Sequence, residues 1–170
     1  MEARSIPAGN AYEGAIAELE ETIRILKTGA SLKKDHVDLE KLIEERQRET
    51  SRLLLEAAFV SRGSGDVGSQ VEGSDAVART HKREQATHMK SIFGEVALNR
   101  TGYGKPGSES LFPLDGGLNL SGDSYSLNLR SMLGGEVVKG SFDDAIAAVE
   151  ARTGVAIPKR QAEELVRKAA

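Results

Sequence analysis

Apolar residues recur at spacings of three and four between Ala11 and Lys27, at Tyr12, Ala15, Ile16, Leu19, Ile23 and Leu26. Such spacing sets one stripe along a helix. A second helix follows Thr28-Gly29-Ala30-Ser31, with Asp35 placed to cap it. Its stripe starts at Leu39, Leu42 and Ile43 and resumes at Leu53 in "LLLEAAFV", while "EERQRETSR" between them is charged on all sides. The pattern predicts a helical hairpin over 1–60, closed on itself or paired with another copy, and the charges read equally as a solvated helix face.

Periodicity then stops. "SRGSGDVGSQVEGSD" is rich in Gly and Ser, so 61–78 is expected to be a flexible linker between two lobes. Beyond it, Met89, Ile92, Val96 and Leu98 lie on strand-like runs either side of Phe93-Gly94, which predicts a β-hairpin with Gly94 in its turn. Alternation puts Lys90 and Ile92 on one face of the first strand, and Val96, Leu98 and Arg100 on one face of the second. A basic hairpin and an extended segment are therefore assigned to 79–120. In "GYGKPGSESLFPLDGGLNL" the backbone is expected to be irregular, with Leu111, Phe112, Leu114, Leu118 and Leu120 tucked onto a core.

Helical spacing returns over 121–170 in three short pieces. Tyr125, Leu129, Met132, Leu133 and Val137 mark the first, and its Gly134-Gly135 pair, costing about 1 kcal/mol per glycine against Ala, suggests a close helix contact or a kink. In the second, Ser141 caps, Asp144 completes a capping box, Phe142, Ala145, Ile146 and Val149 form the stripe, and Gly154 can end the helix. Pro158 opens the third, where Ala162, Leu165, Val166 and Ala169 face inward. The resulting fold class is mostly α with a small β-hairpin, an α+β chain. No internal repeat is visible.

Composition narrows the chemistry. With 39% apolar and 4% aromatic residues, 29% charged and 18 glycines in 170 residues, the core is thin for the length. There is no Cys, which excludes disulfides, thiolate zinc sites and cysteine nucleophiles. No apolar run reaches membrane-helix length, and "MEARSIPAGN" lacks the basic start and apolar stretch of a signal peptide. A cytoplasmic protein without a membrane partner is expected. His36, His81 and His88 are scattered; His81 and His88, seven apart with no further ligands nearby, read as surface residues. Asp143-Asp144 reads as a helix cap and Asp115 as a turn residue, and no nucleophile set, phosphate loop or metal cluster appears. No cofactor is expected.

The net charge of −3 argues against nucleic acid, yet it is uneven. Arg79, Lys82, Arg83, Lys90, Arg100 and Lys105 stand against Glu84 and Glu95 in the middle of the chain. Two short helices joined around Gly154, the second opening with Lys159, Arg160 and Gln161, have the layout of a helix-turn-helix, whose second helix presents long donors to base edges in the major groove. Arg167 and Lys168 could meet phosphates, as could Lys82, Arg83, Arg100 and Lys105 on the hairpin. Residues 141–170 carry as many acids as bases, and any three-helix bundle could show the same stripes.

Seven short blocks, "VARTH", "FGEV", "GYG.PG", "PLD..LNL", "YS..L", "GSFDDA" and "TG....KRQ.EEL", stand in this order from about Gly73 to the end. In this order and spacing they resemble the N-terminal region of the ISKra-type insertion-sequence transposases. Those proteins are similar to other DDE enzymes, in which separated carboxylates on an RNase H-like sheet hold two metal ions for phosphoryl transfer. The resemblance implies a DNA-binding front part that recognises double-stranded terminal-repeat DNA and stops short of the catalytic domain. None of its Asp or Glu residues is carried over as catalytic, and the chain is not expected to be an enzyme. Residues 11–60 would supply a contact between two copies. The competing readings are a helical protein–protein interaction module and a transposase relic without DNA binding.

Overall fold

The computed structural model describes residues 11–169. The reading of residues 1–10 and the side chain of Ala169 lie outside the described residues. Helix α1 (Glu13–Leu26) leads through a short 3₁₀ turn (Ser31–Lys33) into α2 (His36–Ser61). Strands β1 (Val71–Glu72) and β2 (Ala78–Arg79) form a two-stranded ribbon, and β3 (His81–Ser91), β4 (Gly94–Lys105) and β5 (Ser108–Leu111) form a three-stranded antiparallel sheet with β4 in the centre. Four helices follow: α3 (Pro113–Leu118), α4 (Leu127–Val137), α5 (Phe142–Thr153) and α6 (Lys159–Ala169). The chain is α+β.

Asp35 Oδ1 accepts the Asp38 N–H at 2.9 Å and so caps α2, satisfying one of the orphan donors at a helix start. Helix α1 lies antiparallel to it. Its contact face is small and polar: Ala15 and Thr22 are buried, Arg46 Nε donates to Thr22 Oγ1 at 3.2 Å, and Arg46 pairs with Glu18 at 2.9 Å. The large apolar side chains of α1 face the other way, with Ile16, Leu19 and Ile23 exposed by 54%, 51% and 43%.

Strands β3 and β4 pair from His81↔Gly104 to Ser91↔Gly94. The two-residue turn is Ile92-Phe93 rather than Phe93-Gly94, and Gly94 at φ +122° opens β4. Ser91 organises this turn: its hydroxyl donates to Gly94 O at 2.9 Å and accepts the Phe93 N–H at 3.1 Å. Ile92 consequently leaves the strand alternation expected for it and packs among the C-terminal helices.

Two expectations are corrected by tertiary contacts. Residues 61–78 do not form a free linker, because the segment meets the stretch of β4 that β5 leaves unpaired. The Thr101 N–H donates to Ser64 O at 2.7 Å, and the buried Tyr103 hydroxyl accepts the Val67 N–H at 2.9 Å and lies 2.8 Å from Asp66 Oδ1. Arg79, 2% exposed, pins the β1–β2 ribbon through Asp75, Val77 O and Glu109 O. Nor is 102–120 irregular: β4 runs on to Lys105, Pro106-Gly107 turns the chain, β5 returns, and α3 closes the sheet end. Pro and Gly there suit the two central positions of a tight turn.

Two apolar clusters result. Phe59 from α2, Met89, Val96 and Leu98 from the sheet, and Leu114 from α3 make one, so α2 is packed onto the sheet. Tyr125, Leu129, Leu133, Ala145, Val149, Val155, Ile157, Ala162 and Leu165 make the other, within α4–α6. The Gly134-Gly135 pair of α4 makes no close contact. A main-chain bridge joins the halves: the Lys90 N–H donates to Ser124 O at 2.7 Å, and the Ser126 N–H donates to Lys90 O at 2.9 Å.

Candidate nucleic-acid interface

The C-terminal helices are set by their caps. Ser141 Oγ accepts the Asp144 N–H at 3.2 Å, and its own hydroxyl donates to Asp144 Oδ2 at 2.7 Å, so the Asp braces the capping hydroxyl. Gly154 ends α5 at φ +70°, a left-handed backbone that glycine adopts without strain. Thr153 Oγ1 then accepts the Val155 N–H at 3.1 Å, and Val155 and Ile157 are buried. The connection into α6 is thereby fixed from both sides, and Lys90 Nζ donates to Ala156 O at 3.1 Å within it.

On α6 the basic residues divide. Lys159 pairs with Asp143 at 2.8 Å, which holds its ammonium above the ordinary lysine range, and Lys168 pairs with Glu164 at 2.9 Å. Gln161 accepts the Tyr125 hydroxyl instead of projecting freely. Arg160 and Arg167 are exposed, lie seven residues apart and therefore on one helix face, and enter no ion pair among the described residues.

The sheet bases divide further. Lys82 lies 2.7 Å from Asp66 and over the Tyr103 ring, 5.7 Å from its centroid. Arg100 is directed inward: it pairs with Asp115 and stacks 3.9 Å from the Phe112 ring centre, and burial raises the Asp115 carboxyl against the pull of that guanidinium. Register puts Arg83 and Arg100 on the face toward α2 and Lys82 on the opposite face. Lys105 is exposed at the β4–β5 turn. The two basic surfaces expected, on the hairpin and on the last helix, are thus depleted, since four of their bases are matched by acids and the rest are spread over three elements. Charge counting finds the bases; it cannot see partners such as Asp66 or Asp143, which lie sixteen residues away in sequence.

Between β3 and α6 a cleft of about 390 Å³ is lined by His88, Lys90, Asp123, Tyr125, Glu164 and Lys168. Its acids Glu95, Asp123 and Glu164 outnumber Lys90 and Lys168, and His88 lies 3.3 Å from Glu95, which leaves no net attraction for phosphate. His81 and His88 occupy opposite faces of β3, because their separation in the strand is odd. Among the described residues no group of three or more His, Asp or Glu could hold a metal ion, and no helix is long and apolar enough to cross a membrane. Asp143 serves Lys159 and Asp144 serves the α5 cap. The chain matches no family model, no curated protein and no solved structure.

Proposed function

We propose that the chain is a DNA-binding module of a transposase resembling the ISKra type, recognising terminal-repeat DNA with α6 and carrying no catalytic acids, with α1 and α2 as the contact between two copies. One observation supports the DNA reading: Arg160 and Arg167 stand on a single face of α6, which follows a pinned turn, and neither guanidinium is in an ion pair among the described residues, the Glu164 carboxylate between them being held by Lys168. Arg160, one residue into α6, reaches base edges, where a bidentate contact to guanine distinguishes one sequence from another. Arg167 meets phosphates.

Paired titrations of terminal-repeat and scrambled duplex at two salt concentrations test this. Arg160→Ala is expected to lose about 1 to 3 kcal/mol on the end sequence and much less on the scrambled duplex. Arg167→Ala is expected to weaken both alike and to flatten the salt dependence by about one unit of slope. Equal losses on both duplexes for both variants would remove α6 as the recognition helix. No retention of the unaltered chain on duplex at low salt would favour the second reading, an interaction module, which the outward apolar stripe of α1 supports.

A further inference from the structure

The apolar side of α1, exposed at Ile16, Leu19 and Ile23 and half-buried at Tyr12 and Leu26, has a regularity that the fold does not use. Tyr12, Ile16, Leu19, Ile23 and Leu26 follow one another at spacings of four, three, four and three, the strict two-position seam of a coiled coil rather than the wider stripe of a helix lying on a core. Written as a heptad with Ile16 and Ile23 at a, the residues that pack on α2 are those at c and g: Ala15 and Thr22 are buried and Glu18 holds Arg46. One flank of the seam is therefore covered by α2. The other flank, at e, carries Glu13, Glu20 and Lys27, all exposed and outside the ion pairs of the helix.

This asymmetry decides both the occupant and its direction. In a parallel pair each e flank meets the partner's g flank, where Ala15 and Thr22 offer no charge to Glu13, Glu20 or Lys27. In an antiparallel pair a two-fold axis brings e against e and g against g, so the two uncovered flanks face each other and both α2 helices lie on the other side of the seam. The charges agree, since Glu13 at one end of the free flank then meets Lys27 at the other end of its partner's, while the Glu20 side chains stay hydrated at the rim. We propose that two copies of this chain associate through α1 seams in antiparallel register, with Ile16 layered against Leu26 and Leu19 against Ile23 of the partner helix, making a four-helix bundle with the α2 helices on the outside flank. The proposal rests on the copy-contact reading above and supplies its helix, direction and register.

The chain has no cysteine, so single substitutions report geometry cleanly. In the antiparallel register a mixture of Ile16→Cys and Leu26→Cys chains is expected to form a disulfide-linked pair under mild oxidation. Either variant alone should not, because like positions are about 15 Å apart at 1.5 Å of rise per residue, beyond the Cα separation a disulfide spans. Self-linking of Ile16→Cys as fast as the mixture links would overturn the direction while leaving association standing. Sedimentation equilibrium of the unaltered chain tests association itself and needs no DNA, so its outcome is independent of duplex binding. A dimer is expected, and a monomer across the accessible concentration range would overturn the whole proposal. Leu19→Glu with Ile23→Glu is expected to raise the dissociation constant at least about tenfold, since a charge at the seam must be desolvated. The helical circular dichroism should stay unchanged, because both side chains are half-exposed within one copy.

Discussion

Tyr103 converts a Gly/Ser-rich run into structure by means of one hydroxyl. Its ring is fully buried, its oxygen accepts the Val67 N–H, and it sits against Asp66 and Gly68 O. Tyr103→Phe keeps the ring and orphans the Val67 donor, so a loss of about 0.5 to 1.5 kcal/mol is expected in urea unfolding. Asp66 adds a pH dependence. The hydrogen bond from Lys82, then the Gly68 N–H and the Tyr103 hydroxyl, hold its carboxyl well below the ordinary aspartate range. A depressed acid stabilises the fold above its unfolded pKa of about 4 and loses that contribution as the pH falls toward its folded value. Asp66→Asn should therefore be less stable than the parent at about pH 7, and the gap should narrow by about pH 3. A gap of constant size in the two unfolding curves would show that the carboxylate is not held in this way.

Elements differ in how much of their structure is local. The helices of both ends are legible from periodicity and caps, because Asp35, Ser141 and Gly154 act within a few residues of themselves. Ser141→Ala should accordingly cost about 1 kcal/mol, measured as a shift in urea midpoint at unchanged slope. Over 102–120 the determinants are long-range and the sequence is silent. Strand β5 exists because Leu111 pairs with Tyr103, and Gly102 is required because a Cβ there would come within 2.6 Å of the Phe112 ring. The same limit applies to the candidate interface: the sequence locates Arg160 and Lys159 equally well, and only tertiary packing distinguishes the bare guanidinium from the ammonium held by Asp143. At the hairpin turn, Gly94 stands at φ +122° with Arg52 Cδ 3.3 Å from where a Cβ would lie. Gly94→Ala should cost more than about 1 kcal/mol, and a neutral thermal melt would contradict this account of the turn.

At the scale of the molecule, the separation into two apolar clusters matters more than any single bond. The sheet cluster centres on Val96 and Leu98 and the C-terminal cluster on Leu129 and Leu133, and the link between them is the Lys90 bridge to Ser124 and Ser126, the Lys90 ammonium on Ala156 O, Arg48 of α2 beside Gly154, and Ile92. A link so narrow transmits little, so the halves should open with different free energies. Leu129 is 0% exposed, and Leu129→Ala should cost about 2 to 5 kcal/mol, concentrated in its own half. In hydrogen exchange the amides of α4–α6 should lose protection by roughly that amount, while those paired between β3 and β4 change little. The same variant then separates the two proposed activities. Under mildly destabilising conditions it should lose retention on terminal-repeat DNA, which depends on α6, and keep its association through α1, which packs on α2 and contributes nothing to that cluster. Equal loss of protection in the sheet and in α4–α6 would show instead that the two clusters unfold as one, and that α6 and the α1 seam stand or fall together.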